Sequence, residues 1–405
     1  MKKGWEYKKL GDVCRLVRGP FGGSLKKTIF VGDGIAVYEQ QHAIYNDFQK
    51  VRYFISEEKF REMVRFEVQP HDLIMSCSGT MGKVAIVPAG IRRGIINQAL
   101  LKLTPLADLS SVFLKYWMDS YDFQERLLEQ SGGAAIQNVA SISVLKEILI
   151  PVPPLPEQQR IVSVLDEAFA GLANAQANAE KNLQNARALF DSHLQAIFTQ
   201  RGDGWVETKL EAKIDLLAGF PFKSARYTNN DHDVRLLRGD NIVQGYVRWE
   251  DVKRWPVTDT GEYQRYWLAS GDVVLAMDRP WVKAGLKRAQ ILINDLPCLL
   301  VQRTARLRGD ASMNNRFLFY LISSERFINH IVGIQTGIGV PHISGQQIKD
   351  FQFQMPPLHE QIEIASNLDA LSAETQRLAR IYEQKKAALV ELKKALLHQA
   401  FSGEL

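Results

Sequence analysis

The side chains with the most chemical reach fall into a few short loops. Gly79-Thr-Met-Gly-Lys83 sets two glycines beside a lysine, a combination that can bring backbone N–H groups and an ammonium to one phosphate. Ser78 and Thr80 add hydroxyls to the same stretch. It is not a P-loop: position 77, where the first glycine is required, is cysteine, and Val84 stands where the Ser/Thr should follow the lysine. The competing reading is a tight turn between strands whose lysine is merely exposed. Met277-Asp-Arg-Pro-Trp-Val-Lys283 aligns with that loop and offers Arg279, Trp281 and Lys283. The Arg279 guanidinium suits bidentate readout of guanine, although a loop arginine ahead of proline is also commonly solvated. Trp281 reads as a core residue before a stacking platform. Gln40, Gln41 and His42 align with Gly239, Asp240 and Asn241, next to Arg238. Amides and imidazoles on a strand-end loop suit base edges, and buried hydrogen bonding accounts for them equally well. Gly19–Ser24 and Gly219–Ser224 are Gly/Pro turns first and contact loops second.

Other chemistry is thin. Eight histidines show no paired-ligand spacing, so no metal site is expected. Cys14, Cys77 and Cys298 form an odd, scattered set that suits neither a disulfide framework nor a zinc cluster. Asp251-Val-Lys253 mimics half of a nuclease signature without the preceding Pro-Asp, and a solvated turn explains it. No Asn/Asp-Pro-Pro-aromatic motif or glycine-rich cofactor loop suggests a methyltransferase site. The start lacks the apolar run of a secretory signal, and no stretch approaches the 18 apolar residues of a membrane span. The expected location is the cytoplasm. Net charge is +5, and its distribution says more: residues 1–156 and 201–356 each carry +4, while 157–200 carry −2 and 357–405 carry −1. Two basic blocks separated by near-neutral segments suit two surfaces facing a polyanion.

What must position these loops is written twice. Pro151–Asp166 returns at 354–369 with an offset of 203, matching Pro153, Pro154, Leu155, Glu157, Gln158, Leu165 and Asp166 to Pro356, Pro357, Leu358, Glu360, Gln361, Leu368 and Asp369. Phe198 meets Phe401 at the same offset. Earlier the offset is 200, through Trp5/Trp205, Gly19/Gly219, Asp72/Asp272 and Lys83/Lys283; it is 204 at Gln98/Gln302, Phe113/Phe317 and Tyr116/Tyr320. One match could be chance, but a collinear series is a duplication. Each copy opens with a mixed segment. Residues 72–78, 234–242 and 271–278 read as short buried strands bounded by turn residues, and residues 111–121 carry helical apolar spacing.

After each Pro-Pro-Leu comes a proline-free run, Glu157–Gln200 and Glu360–Phe401, ended by Gly202 and Gly403. Proline before the first turn, an acidic residue within it and a terminal glycine are the marks of a helix. Steps of four and three pass through Ile161, Leu165, Ala168, Leu172, Ala175, Ala179, Asn182, Ala186, Leu189, His193 and Ala196 in the first copy. In the second they pass through Ile364, Leu368, Leu371, Thr375, Leu378, Tyr382, Lys385, Leu389, Leu392, Leu396 and Gln399. Nine and eight of these eleven are apolar, which predicts a heptad seam. Asn182 and Lys385, the same heptad position in the two copies, are register-fixing polar residues or a solvated seam edge. A lone helix exposing such a seam would be sticky, so the two copies are expected to pack together antiparallel. The expected fold is α+β: two similar mixed domains, 1–156 and 204–357, each followed by a long helix, 157–203 and 358–405, with pseudo-two-fold symmetry.

On these motifs the chain resembles the specificity subunits of type I restriction–modification systems. The two Pro-Pro-Leu-x-Glu-Gln starts, the helices after them, and the loops at 79–83 and 276–281 carry the resemblance, which spans the whole chain. It implies a non-catalytic subunit in which each variable half is a target recognition domain reading one part of a split sequence in double-stranded DNA. It also implies that the helices act as a spacer and dock two modification (methyltransferase) subunits, which restriction subunits join. Glu157, Gln158, Glu360 and Gln361 are then expected to bind partners. S-adenosylmethionine, ATP and Mg²⁺ are expected on those partners, with no cofactor in this chain. The first copy departs from the pattern ahead of its Pro-Pro-Leu, with Ser131–Ser143 against Thr336–Ser344 in the second.

Overall fold

A computed structural model describes residues 4–129, 141–200, 202–334 and 341–405. Most of the two stretches in which the copies depart from one another, 131–140 and 336–340, lies outside the described residues. The chain divides into two compact units, Met1–Lys181 with Glu383–Leu405, and Asn182–Tyr382. Each unit therefore joins one mixed domain to the start of its own long helix and the end of the other copy's.

In unit 1 a four-stranded sheet runs Cys14–Arg18, Leu100–Pro105, Leu73–Ser76, Val84–Ile86, and a three-stranded sheet runs Phe54–Ile55, Ile35–Tyr38, Gly94–Ile96. Unit 2 repeats both. Its larger sheet is Ile214–Ala218, Thr304–Gly309, Val273–Ala276, Arg288–Gln290, Gln244–Gly245, and its smaller one Lys253–Trp255, Val234–Leu237, Cys298–Leu300. Ala36, Tyr38, Ile74, Ala85 and Leu100 form one core between the sheets of unit 1, and Leu237, Val274, Ala289 and Leu300 do the same in unit 2. Strands hydrophobic on both faces, such as Leu73–Ser76, follow from burial on both sides. The duplicated aspartates serve these strands: Asp72 accepts from Gln69 N (2.8 Å) and Asp272 from Ala269 N (2.8 Å), each closing the turn that enters a central strand.

The long helices run Leu155–Thr199 and Leu358–Ser402 and pair antiparallel within each unit. In unit 1 Arg160 reaches the Leu405 carbonyl (2.7 Å), Lys393 lies over Phe169 (4.9 Å) and Lys386 pairs with Glu180 (2.5 Å). Phe401, from the second copy, packs on Phe113 at 5.2 Å; in unit 2 Phe198, from the first copy, packs on Phe317 at 5.4 Å. Each domain thus takes a phenylalanine from the other copy's helix end into its core.

The expected seam holds only as far as mid-helix. Ile161, Leu165, Ala179 and Ala186 are buried as expected, but beyond Ala179 burial also moves to Leu183, Leu194 and Phe198, while Asn182, Leu189 and His193 are exposed. In the second helix Lys385, Leu392 and Gln399 are likewise exposed, and Leu397, Ala400 and Phe401 are buried. The stripe keeps the roughly 3.6-residue turn of a straight helix, which drifts about 20° per heptad from a 3.5 repeat. After three heptads the drift amounts to more than half a residue's rotation, so the stripe passes to the next position. Asn182 and Lys385 are solvated edges, not register pins.

Candidate nucleic-acid interface

In unit 1 the strand Ile35–Tyr38 ends in the helix Gln40–Tyr45, and the strand Leu73–Ser76 ends in the loop holding Ser78–Lys83. The two meet where Ser78 Oγ donates to Gln40 Oε1 at 3.3 Å. The loop is rigid. Buried Ser76 donates to the Thr80 carbonyl (2.6 Å) and accepts from Lys83 N (3.0 Å), gripping it at both ends. Gly82, at φ +77°, has no room for a side chain, because a Cβ would sit 2.7 Å from Gln124 Oε1 and 2.8 Å from Leu127. Thr80 and Lys83 stand exposed on this frame, while Gln41 is half-buried against Glu39 (3.3 Å).

His42 is not a base reader. It is fully buried; its Nδ1 accepts from Glu39 N (2.8 Å), so Nε2 carries the proton and donates to the Lys50 carbonyl (3.1 Å). Glu39, which this cap orients, is held bidentately by Arg52 at 2.9 and 3.0 Å. Asn241 is also structural. It accepts from Arg238 N (3.0 Å) and donates to the Arg248 carbonyl (3.0 Å), stapling the turn after Val234–Leu237. Arg238 is tied to Asp251 through its carbonyl (2.9 Å) and its carboxylate (3.1 Å). Polar side chains at these strand ends hold the turns, and Gln40, Asp240 and the loops beside them are what faces outward.

In unit 2 the loop after Val273–Ala276 is longer and carries its own hairpin, Trp281–Val282 against Gly285–Leu286, with Lys283 exposed at the tip. Trp281 is 43% exposed rather than in the core. Among the described residues the two-residue strand that holds it pairs with Gly285–Leu286 as a separate two-stranded sheet and with neither larger sheet. Arg279 is exposed in a left-handed conformation, φ +44°, its N–H held by the Pro341 carbonyl (2.7 Å). Such strain in a non-glycine residue persists only where surroundings enforce it, and it clusters at functional sites.

The ladder also corrects an equivalence. Ser76 N bonds to Lys83 O (2.9 Å), and Ala276 N bonds to Lys287 O (3.0 Å). The counterpart of Lys83 is therefore Lys287, not Lys283, because a four-residue insertion lies inside the loop. Lys287 is half-buried near Asp240, Asp278, Arg248 and Arg279, and its Nζ makes no ion pair among the described residues. Burial lowers its pKa, partly offset by Asp240. Sequence reasoning missed it; strand register was the only signal, and that needs the structure.

The residues expected to bind partners divide. Gln158 and Gln361 are fully buried. Gln158 donates to the Asp108 and Pro153 carbonyls (2.8 Å each) and accepts from Ser110 N (2.9 Å). Gln361 donates to the Ser312 and Pro356 carbonyls (2.9 Å each) and accepts from Asn314 N (2.8 Å). Each locks its long helix to the start of a domain helix and cannot reach a partner. Glu157 pairs with Arg160 (2.7 Å), and Glu360 accepts from the Trp205 indole (2.7 Å). Burial pushes the thiols of Cys14, Cys77 and Cys298 up to about 12, so none is a nucleophile at neutral pH. Among the described residues no cluster of His, Cys, Asp or Glu could hold a metal, and no helix is long and apolar enough to cross a membrane.

The type I restriction modification DNA specificity domain matches residues 2–182 and again 218–384. The chain belongs to this family. Its members are the non-catalytic DNA-recognition components of type I systems, and the two matched segments make two recognition domains here. The EcoAI specificity subunit of Escherichia coli is 36% identical over 49% of this chain, which spans only 34% of that relative's length. The MjaVIII specificity subunit of Methanocaldococcus jannaschii is 25% identical over 99% of this chain and 93% of its own. Among solved structures, the HsdS subunit from Thermoanaerobacter tengcongensis aligns with a TM-score of 0.68 at 18% identity, covering 100% of this chain and 98% of that one. A chain from a structure on complex assembly and conformational transition of the type I R-M system reaches 0.77 at 17% identity, covering 100% and 99%. The likeness to both structures concerns the fold.

Proposed function

We propose that this specificity subunit reads a bipartite target in double-stranded DNA, one half-site per recognition domain. In unit 1 Gln40, Ser78, Thr80 and Lys83 face the duplex; in unit 2 Asp240, Arg279, Trp281, Lys283 and Lys287 do. The observation that carries the reading is that one construction occurs twice: two neighbouring strand ends, each leading into a loop, with a lysine at the equivalent ladder position. The side chains around that lysine differ between the copies, as two unlike half-sites require. Arg279 suits a guanine, and the lysines suit phosphates. The long helices set the gap and dock two modification (methyltransferase) subunits, which restriction subunits join in the cytoplasm. S-adenosylmethionine, ATP and Mg²⁺ belong to those partners.

The test is to sequence the methylation of DNA from cells carrying this chain with its partners. A split motif is expected. Replacing residues 277–287 with the loop of another family member should change one half and leave the other. A continuous motif, or a change in both halves, would overturn the assignment.

A further inference from the structure

Unit 2 contains a cavity of about 700 Å³ between its recognition domain and the two long helices. Ala186–Asp191 of the first helix and Ser372–Ala379 of the second form its walls, and Arg288, Phe319 and Tyr320 its floor. Lys287 directly precedes the strand Arg288–Gln290, and the two side chains serve different places: the lysine lies near Asp240 and Arg279 at the candidate interface, and the arginine lines this cavity.

The first copy shows what an ordinary packing of the same place looks like. Tyr116 bonds Asp166 just as Tyr320 bonds Asp369 (2.6 Å). Phe169, which matches Ser372, packs on Tyr116 at 5.4 Å. Leu172 matches Thr375, and Ala173 matches Gln376. Val84 pairs with Met75 as Arg288 pairs with Leu275, so the deep arginine replaces a buried valine. Four positions that are apolar in one copy have become polar in the other, around an opening.

Arg288 itself is only partly satisfied. Its Nε donates to Ser323 Oγ and its guanidinium lies over Phe319 at 5.0 Å. Among the described residues its terminal nitrogens have no acceptor, and Asp191, which attracts it, forms no ion pair with it. Burial presses its pKa down to about 10, the mark of a charge held without full compensation. Arg316 beside it is saturated by Asp369 (2.7 Å), Gln290 (2.9 Å) and Tyr320 (3.2 Å). A half-buried guanidinium whose terminal nitrogens line a cavity without a protein acceptor among the described residues is matched by a carboxylate.

We propose that this cavity receives an acidic side chain of a partner protein, seated on Arg288 between Phe190 and Phe319, once per chain. The inference rests on the reading that the long helices dock partner subunits, because both helices form the mouth. Since the first copy is filled by Phe169, identical partners would dock unequally: the one at unit 2 has an anchor that the one at unit 1 lacks.

The test uses the full chain titrated with the modification subunit of its own system, read by mass photometry. Arg288→Gln removes the anchor. Ser372→Phe gives the first copy's residue and closes the cavity without touching Arg288, which keeps the test valid if Arg288→Gln unfolds. Either variant should weaken one of two binding steps about tenfold, the scale of a lost interface anchor. The other step and the melting temperature of the Ser372→Phe chain should not change. If the wild-type chain binds the subunit and both variants bind it equally well, the cavity is not a docking site although the docking reading stands. If instead the variants lose only duplex affinity, or only stabilisation by citrate, the occupant is a DNA phosphate or a free anion and the proposal falls. A wild-type chain that binds no subunit overturns the docking reading and this inference together.

Discussion

Replacing Gln361 with leucine separates a structural lock from a partner contact. The substitution keeps the side-chain volume and removes three hydrogen bonds, to Pro356 O, Ser312 O and Asn314 N. The Asn314 N–H has no replacement acceptor in this buried place, and an orphaned donor costs roughly 1–3 kcal/mol. The two carbonyls lose one partner each and keep a second lone pair, which adds about 1 kcal/mol apiece at the low end of the same range. Leucine regains about 1 kcal/mol from its added apolar surface. The net is about 3 kcal/mol, or a fall of about 6–12 °C in the melting of a unit of this size. Scanning calorimetry on the isolated chain measures it. Gln158→Leu should do the same to unit 1, and the double substitution should be additive, because the two share no partner. A shift below about 1 °C together with loss of modification-subunit binding would refute the reasoning and return the glutamines to the surface.

Lys83→Ala and Lys287→Ala should each lower the salt slope of duplex binding by about one and weaken all sequences alike; an unchanged slope in filter-binding titrations would place them on a solvated face. Lys287→Met should raise the melting temperature while weakening DNA binding. Burial lowers the Lys287 pKa, so its charged form is disfavoured by folding at every pH below that value, and removing the charge relieves the fold. A lower melting temperature would show that Lys287 is paired after all. Inserting four residues after Ala179 lengthens the first helix by about 6 Å. Methylation mapping should then report unchanged half-sites with a gap longer by about two base pairs; changed half-sites with a fixed gap would show that the helices do not set the spacing.

The helices were legible because their signals are local. Prolines at 153 and 154, Glu157 and a proline-free run need no tertiary knowledge, and the observed start at Leu155 differs only because Pro156 fits the first turn, where no N–H is required. Their seam was half legible: three heptads are too few to tell a 3.5 from a 3.6 repeat, and the two diverge only beyond Ala179. The loops of the candidate site could be found, but not which side chains in them are free. Amides and imidazoles that suit a base edge also suit a turn, and His42 and Asn241 are the turn. Trp281 was misread for the opposite reason, since a tryptophan is buried by default unless its strand leaves the sheet. Lys287 was hidden by an insertion that only the ladder between Ala276 and Lys287 reveals.

Duplication sorts these residues by physical role. Gln158 and Gln361, the aspartates at 72 and 272, and the phenylalanines at 113 and 317 recur because both copies must close the same turns and fill the same cores, and every one of them is buried. The family resemblance implied a partner surface at these two glutamines, yet a buried hydrogen-bonded glutamine is at least as strongly constrained, since any change orphans the groups it serves. The outward residues behave the other way. Gln40 faces Gly239, the loop Ser78–Lys83 faces a hairpin four residues longer, and Phe169 faces Ser372. Within one chain built twice, sameness therefore marks the scaffold and, at Lys83 and Lys287, the shared contact proposed for phosphates, while the positions where the copies part company are where each unit meets something different.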